Sequence, residues 1–153
     1  MSDTTIFTQF IDDVRDEQPQ SSAADRPDPT PEIGDLPFGD ISEIVDAVDA
    51  EQVVTKSDLN DDGTIDEISV DLDGDGIADV TISDFDNDGV VNKIDFDLDG
   101  DGEIDARAYD FDGDGTADSI LYDTTGNGEF DTRHHDFDGD GVIDSINVDP
   151  SAM

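Results

Sequence analysis

The chain has no cysteine, so disulfides and thiolate metal sites are both excluded. Basic residues are nearly as scarce: 6 Lys and Arg stand against 44 Asp and Glu, a formal charge of −38. That sign excludes a nucleic-acid surface and an anionic membrane as partners. Apolar residues make up only 33% of the 153 positions, a thin supply for an ordinary core, so metal ligation is the expected source of the missing folding free energy. No apolar run approaches a membrane span, and the N-terminus carries neither a basic n-region nor an h-region. The expected setting is the cell surface or exterior, with no recognisable signal peptide. No nucleophile–base pair and no phosphate loop is visible, so no enzymatic activity is expected.

What the chain does contain is one 13-residue unit in seven consecutive copies from Asp58 to Val148, without insertion or deletion. The consensus is D-φ-D-G-D-G-x-φ-D-x-x-x-x, with φ apolar. Oxygen-bearing side chains at alternate positions, followed by an obligatory glycine at position 6, are how a short loop wraps a hard cation. Random acidity would not hold that register through every copy. The candidate ligands at positions 1, 3, 5 and 9 are Asp58, Asn60, Asp62 and Asp66; Asp71, Asp73, Asp75 and Asp79; Asp84, Asp86, Asp88 and Asn92; Asp97, Asp99, Asp101 and Asp105; Asp110, Asp112, Asp114 and Asp118; Asp123, Asn127 and Asp131; and Asp136, Asp138, Asp140 and Asp144. The carbonyl of residue 7 would add an oxygen. Copy six has Thr125 at position 3 and Asn127 at position 5, so six or seven ions are expected with that site the weakest. Residues 58–148 hold 29 acidic and 3 basic residues, a net of −26. One divalent ion per copy would reduce that to −12, removing over half of the self-repulsion.

The tandem D-x-D-x-D-G-x-x-D pattern resembles the calcium repeats of thrombospondin type 3, including bacterial versions. The resemblance covers the array and none of the N-terminal third. It implies calcium as the ion and side-chain ligands at positions 1, 3, 5 and 9. It departs at position 12, where the family's further Asp is replaced by Ser69, Ile82, Asp95, Ala108, Leu121, His134 and Asn147, and in lacking cysteines. The loop also looks like half an EF-hand, but the bidentate Glu and the room for flanking helices are both missing.

Between the loops, Ile68, Val70 and Leu72, and again Ile94, Phe96 and Leu98, alternate with polar residues at strand period. A second period of 26 is superimposed. Odd copies carry Ile at position 11, even copies Thr81, Arg107 and Arg133, and Phe occurs at position 2 only in odd copies (Phe85, Phe111, Phe137). The expected fold is mainly β. A solenoid with odd and even strands in two parallel sheets is preferred, and an antiparallel meander is the alternative. His134 and His135 adjoin the seventh loop; as strand neighbours they point to opposite faces, so solvent-facing histidines are expected rather than a transition-metal pair.

Three segments follow from composition. Residues 1–39 are expected to be an acidic, Pro-rich N-terminal segment with a short amphipathic helix over 4–17 (Ile6, Phe7, Phe10, Ile11, Val14), then a linker marked by Pro19, Pro27, Pro29, Pro31 and Pro37. Residues 40–57 read as a helix over 40–54, capped by Asp40 with Glu43 in a capping box, closing the end of the array. Residues 58–149 are the array itself. The function expected is calcium binding with calcium-dependent folding, as a buffer or conditional structural module. The alternative is a calcium-stiffened adhesive spacer whose residues 1–57 hold a protein partner.

Overall fold

β-Branched and aromatic residues cluster at positions 10–13 of each unit, and these four residues form its strand. The computed structural model describes residues 38–48 and 51–151; the helix expected over 4–17 and the linker up to residue 37 lie outside them. Among the described residues one helix, α1 (Ile41–Ala47), precedes β1 (Val53–Ser57). The seven repeat strands follow: β2 (Glu67–Val70), β3 (Val80–Ser83), β4 (Lys93–Phe96), β5 (Ala106–Tyr109), β6 (Ser119–Tyr122), β7 (Thr132–His135) and β8 (Ser145–Val148). All eight strands lie in one sheet in sequence order, each antiparallel to the next.

The preferred solenoid is therefore replaced by the meander. The reason lies at the loop exit. The N–H of the position-9 residue donates to the carbonyl of position 13 in the preceding unit, as from Asp79 to Val70 at 2.9 Å and from Asp105 to Phe96 at 2.8 Å. The connection thus turns the chain back on itself, and no strand can advance to a parallel neighbour.

This arrangement also explains the 26-residue period. Position 11 of one strand faces position 12 of the next, and position 10 faces position 13, as in Ile68↔Ile82↔Ile94↔Ala108↔Ile120. Directly opposed residues share a face. The inward positions are therefore 11 and 13 in odd units and 10 and 12 in even ones. Val70, Val80, Phe96, Ala106 and Tyr122 form the second inward row, and all are buried.

α1 supplies the lid over this face. Phe38, Ile41, Ile44 and Val48 are buried in one cluster with Ile68, Ile82, Val91, Ile94, Phe96 and Ile120. Asp40 caps the helix, accepting from the Ser42 N–H at 2.8 Å, which satisfies an orphan donor of the first turn. The helix is shorter than the expected 40–54 and covers the sheet rather than closing its end. Its approach is fixed by the third loop: the Ile41 N–H donates to the Gly89 carbonyl (3.0 Å) and the Val91 N–H to that of Gly39 (2.9 Å). End pairing falls instead to β1, which runs along β2 with an irregularity between Val53 and Thr55. Val53, Val54 and Thr55 are β-branched, and their strand preference outweighs extension of a helix that has already stopped at Val48.

The outer face is polar. Asp95 pairs with both Lys93 and Arg107, and the Ser69 and Thr81 hydroxyls are 3.0 Å apart. At the far edge the inward row ends in Ile146 and Val148 of β8, both exposed.

Candidate functional site: the acidic loops

Two of the four acidic positions in each unit build the loop itself. At position 1 the carboxylate accepts from the N–H of the position-6 glycine in all seven copies, from Gly63 to Asp58 through Gly141 to Asp136, at 2.6–2.9 Å. The side chain at position 9 accepts from the N–H of position 2 across the loop mouth, again in every copy, at 2.5–2.9 Å. In copy three Asn92 does this with an amide oxygen. These bonds satisfy backbone donors that have no ladder partner. Positions 3 and 5 form Asx turns, as in Asp75 N–H to Asp73 (2.9 Å) and Ile77 N–H to Asp75 (2.7 Å), and their carboxylates are exposed.

Glycine is required at position 6, where φ runs from +79° to +96°, a region costly for side chains. Position 4 is left-handed as well, a requirement that the spacing of acidic residues does not reveal. Where it is not Gly it is Asp61 (φ 61°) or Asn87 (φ 60°), the two side chains that best tolerate that conformation.

Three carboxylates converge in five loops. Asp71, Asp73 and Asp79; Asp84, Asp86 and Asp88; Asp97, Asp99 and Asp101; Asp110, Asp112 and Asp118; and Asp136, Asp138 and Asp144 each present oxygens within 4.8 Å of one another. Oxygens that share one ion at about 2.3–2.6 Å can be no further apart than roughly that. Asp75, Asp105, Asp114 and Asp140 stand outside these groups. The loops of copies one and six form no such group among the described residues, so Asp58, Asn60, Asp62 and Asp66, and Asp123, Asn127 and Asp131, are not brought together in this way. Copy six keeps the two loop-building residues, Asp123 and Asp131, and lacks carboxylates at positions 3 and 5. In copy one, Asp66 Oδ1 is buried without a hydrogen-bond partner.

His134 and His135 do lie on opposite faces. His134 packs edge-on against Tyr122 with its ring half-buried, rather than in solvent, and burial lowers its pKa; His135 stacks on Phe137 on the outer face. No described helix is long and apolar enough to cross a membrane.

Electrostatics within the loops pull in two directions. Burial pushes Asp79, Asp84, Asp105 and Asp110 above the ordinary aspartate value of 3.8. Asp71 is held below it, first by the Gly74 N–H, and Asp62 is lowered first by the Thr64 hydroxyl. A raised group contributes stability that is full below the unfolded value and lost as pH rises through its folded value; a lowered group contributes stability that is lost as pH falls through its folded value. Both contributions overlap near 3.8. Metal-free protein is therefore expected to melt highest near pH 4 and progressively lower towards neutrality. Thermal scans followed by circular dichroism across that range test this; a melting temperature that climbs steadily to pH 7 contradicts it.

No protein-family model matches the chain, and no curated protein or solved structure shows significant similarity to it.

Proposed function

We propose that the array is a calcium-binding β-sheet module whose loops load calcium and thereby fix the sheet. The observation that carries this is the convergence of three carboxylates in each of five loops already closed by a hydrogen bond from the position-6 glycine N–H to the position-1 carboxylate. Hard oxygen donors without nitrogen or sulfur favour calcium or magnesium over transition metals. Calcium suits them better, because it accepts irregular oxygen shells whereas magnesium retains its waters and demands octahedral geometry. The buried, unpartnered Asp66 Oδ1 supports a cation in the first loop too, since an unsatisfied buried acceptor costs about 1–3 kcal/mol. The resemblance to thrombospondin type 3 repeats points to the same ion. In biological terms this is a calcium buffer or a structural module that holds its shape only where calcium is plentiful.

The test is stoichiometry. Titration calorimetry of the full chain should find five calcium ions bound more tightly than any others, in copies two, three, four, five and seven. Introducing Thr125→Asp together with Asn127→Asp should add a further strong site and leave the fold intact, because the residues that build loop six are untouched. If the doubly substituted chain binds calcium with the wild-type count and affinities, the assignment of positions 3 and 5 as ligands fails.

A further inference from the structure

A hydrophobic row lies on the surface of this sheet with no role in its core. Odd-unit loops all emerge at one end of the strands, and their position-2 residues are Leu59, Phe85, Phe111 and Phe137, which are 66%, 59%, 72% and 72% exposed. In units two and four the same position faces inward: Leu72 is buried and Leu98 packs against the core. The phenylalanines lie on the outer side instead, as their neighbours show. Tyr109 stacks on Phe111 with centroids 5.1 Å apart, His135 stacks on Phe137 at 5.2 Å, both with 12° between planes, and Lys93 Nζ sits 5.1 Å from the Phe85 ring centre. Each phenylalanine is also pinned by its N–H, which donates to Asn92, Asp118 or Asp144. The result is three preset rings on successive loops at one end of the sheet, where loops recur every two strand spacings, about 9.6 Å.

We propose that this ladder binds a neutral, extended β-1,4-linked polysaccharide. Such a polymer turns over at each sugar, so the same apolar pyranose face recurs at every second residue, at an interval close to that of the rings. Aromatic faces stack on flat apolar faces with useful energy beyond their area, and three modest contacts at matching spacing gain from effective concentration. The array's net charge of −26 excludes anionic polymers. A second copy of the chain fits less well. Three partly exposed rings of about 150–250 Å² each fall well short of the roughly 800 Å² per partner in a stable interface, and the copies repel.

The inference goes beyond calcium binding and requires only that the sheet be folded. The full-length, calcium-loaded protein is tested by pull-down on insoluble cellulose, chitin and xylan, with pectate as the anionic control. Retention on at least one neutral polymer and none on pectate is expected. Phe111→Ala should weaken retention about tenfold, the Phe85→Ala, Phe111→Ala, Phe137→Ala variant should abolish it, and Phe111→Tyr should preserve it. Circular dichroism and calcium titration of each variant show that sheet and loops are intact, so loss of calcium binding registers separately from loss of glycan binding. The proposal is overturned if no neutral polymer retains the protein, or if the triple variant binds like the wild type. It is also overturned if sedimentation reveals a dimer, or flotation a vesicle complex, that depends on these rings in place of glycan binding.

Discussion

Removal of calcium at neutral pH is expected to unfold the array from residue 58 to 148. Folding concentrates 29 acidic and 3 basic residues into a single-layer sheet. It also buries carboxylates at the loop mouths: at Asp79, Asp84 and Asp110, the last completely buried, burial outweighs the donors around the carboxylate and raises its pKa. Burying an ionised carboxylate is costly unless opposite charge or several donors compensate. Backbone N–H groups supply part of this compensation, and the remainder has to come from cations. Against that cost stands one apolar layer, roofed by a seven-residue helix over part of the sheet. Its hydrophobic burial must already offset about 1–2 kcal/mol of backbone entropy per ordered residue. With five ions bound, the net charge of the array falls from −26 to −16 and the balance reverses. In excess chelator, circular dichroism should show loss of the strand signal and NMR a collapse of amide dispersion. The attachment of Ile41 and Val91 across Gly39 and Gly89 should be lost in the same transition, since it holds residues flanking the third loop. A folded β signal persisting in chelator would refute this.

The loops were legible because their chemistry is local. A carboxylate at position 1 and a glycine at position 6 meet within a few residues, whatever the rest of the chain does, and the structure places them in contact in every copy. The strands were legible for the same reason, from the alternation around Ile68 and Ile94. Their relation to one another was not, since a 26-residue period arises equally from stacked coils and from a meander; only the reversal between positions 13 and 9 separates them. The Gln52–Ser57 stretch was misread because Val53 and Val54 fit the tail of an amphipathic helix, and what decides is the open edge of β2 beside them. Glycine at position 4 stood in the consensus without a role, because it serves a backbone angle and a close approach rather than a ligand. A Cβ built on Gly139 would sit 2.9 Å from Asp114 Oδ2.

That approach, between units two apart in sequence, fixes which loops communicate. Because the strands alternate in direction, the loops of copies one, three, five and seven line one end of the sheet and those of two, four and six line the other. Along each end they are joined by backbone: the Asp97 N–H donates to the Asp79 carbonyl at 2.9 Å, and the Asp123 N–H to that of Asp105 at 2.8 Å. Side chains add to this. A Cβ on Gly100 would lie 3.7 Å from Asp75 Oδ2, Glu103 reaches towards Gly128, and at the other end the Thr64 hydroxyl donates to Asn87 at 3.0 Å. In the meander the fourth loop's neighbours along its end of the sheet are the second and sixth. Replacing Asp97, Asp99 and Asp101 with Asn removes three charges and leaves one acceptor oxygen at position 97, which can keep the bond from the Gly102 N–H while the bond from Gly100 to the second oxygen is lost, so the loop keeps its closure from position 1 to position 6. That variant should lose the fourth ion and weaken calcium binding at the second loop about 5-fold or more, the range of ordinary site–site coupling. The third and fifth loops should change far less, being linked to the fourth only through the strands. Residue-resolved NMR titration separates the outcomes, with the amides of Gly76, Gly89 and Gly115 reporting on loops two, three and five. Equal weakening of all three would mean that the sheet responds as one body, and no change at Gly76 would mean that the loops bind independently. Either result would refute coupling along the two ends of the sheet.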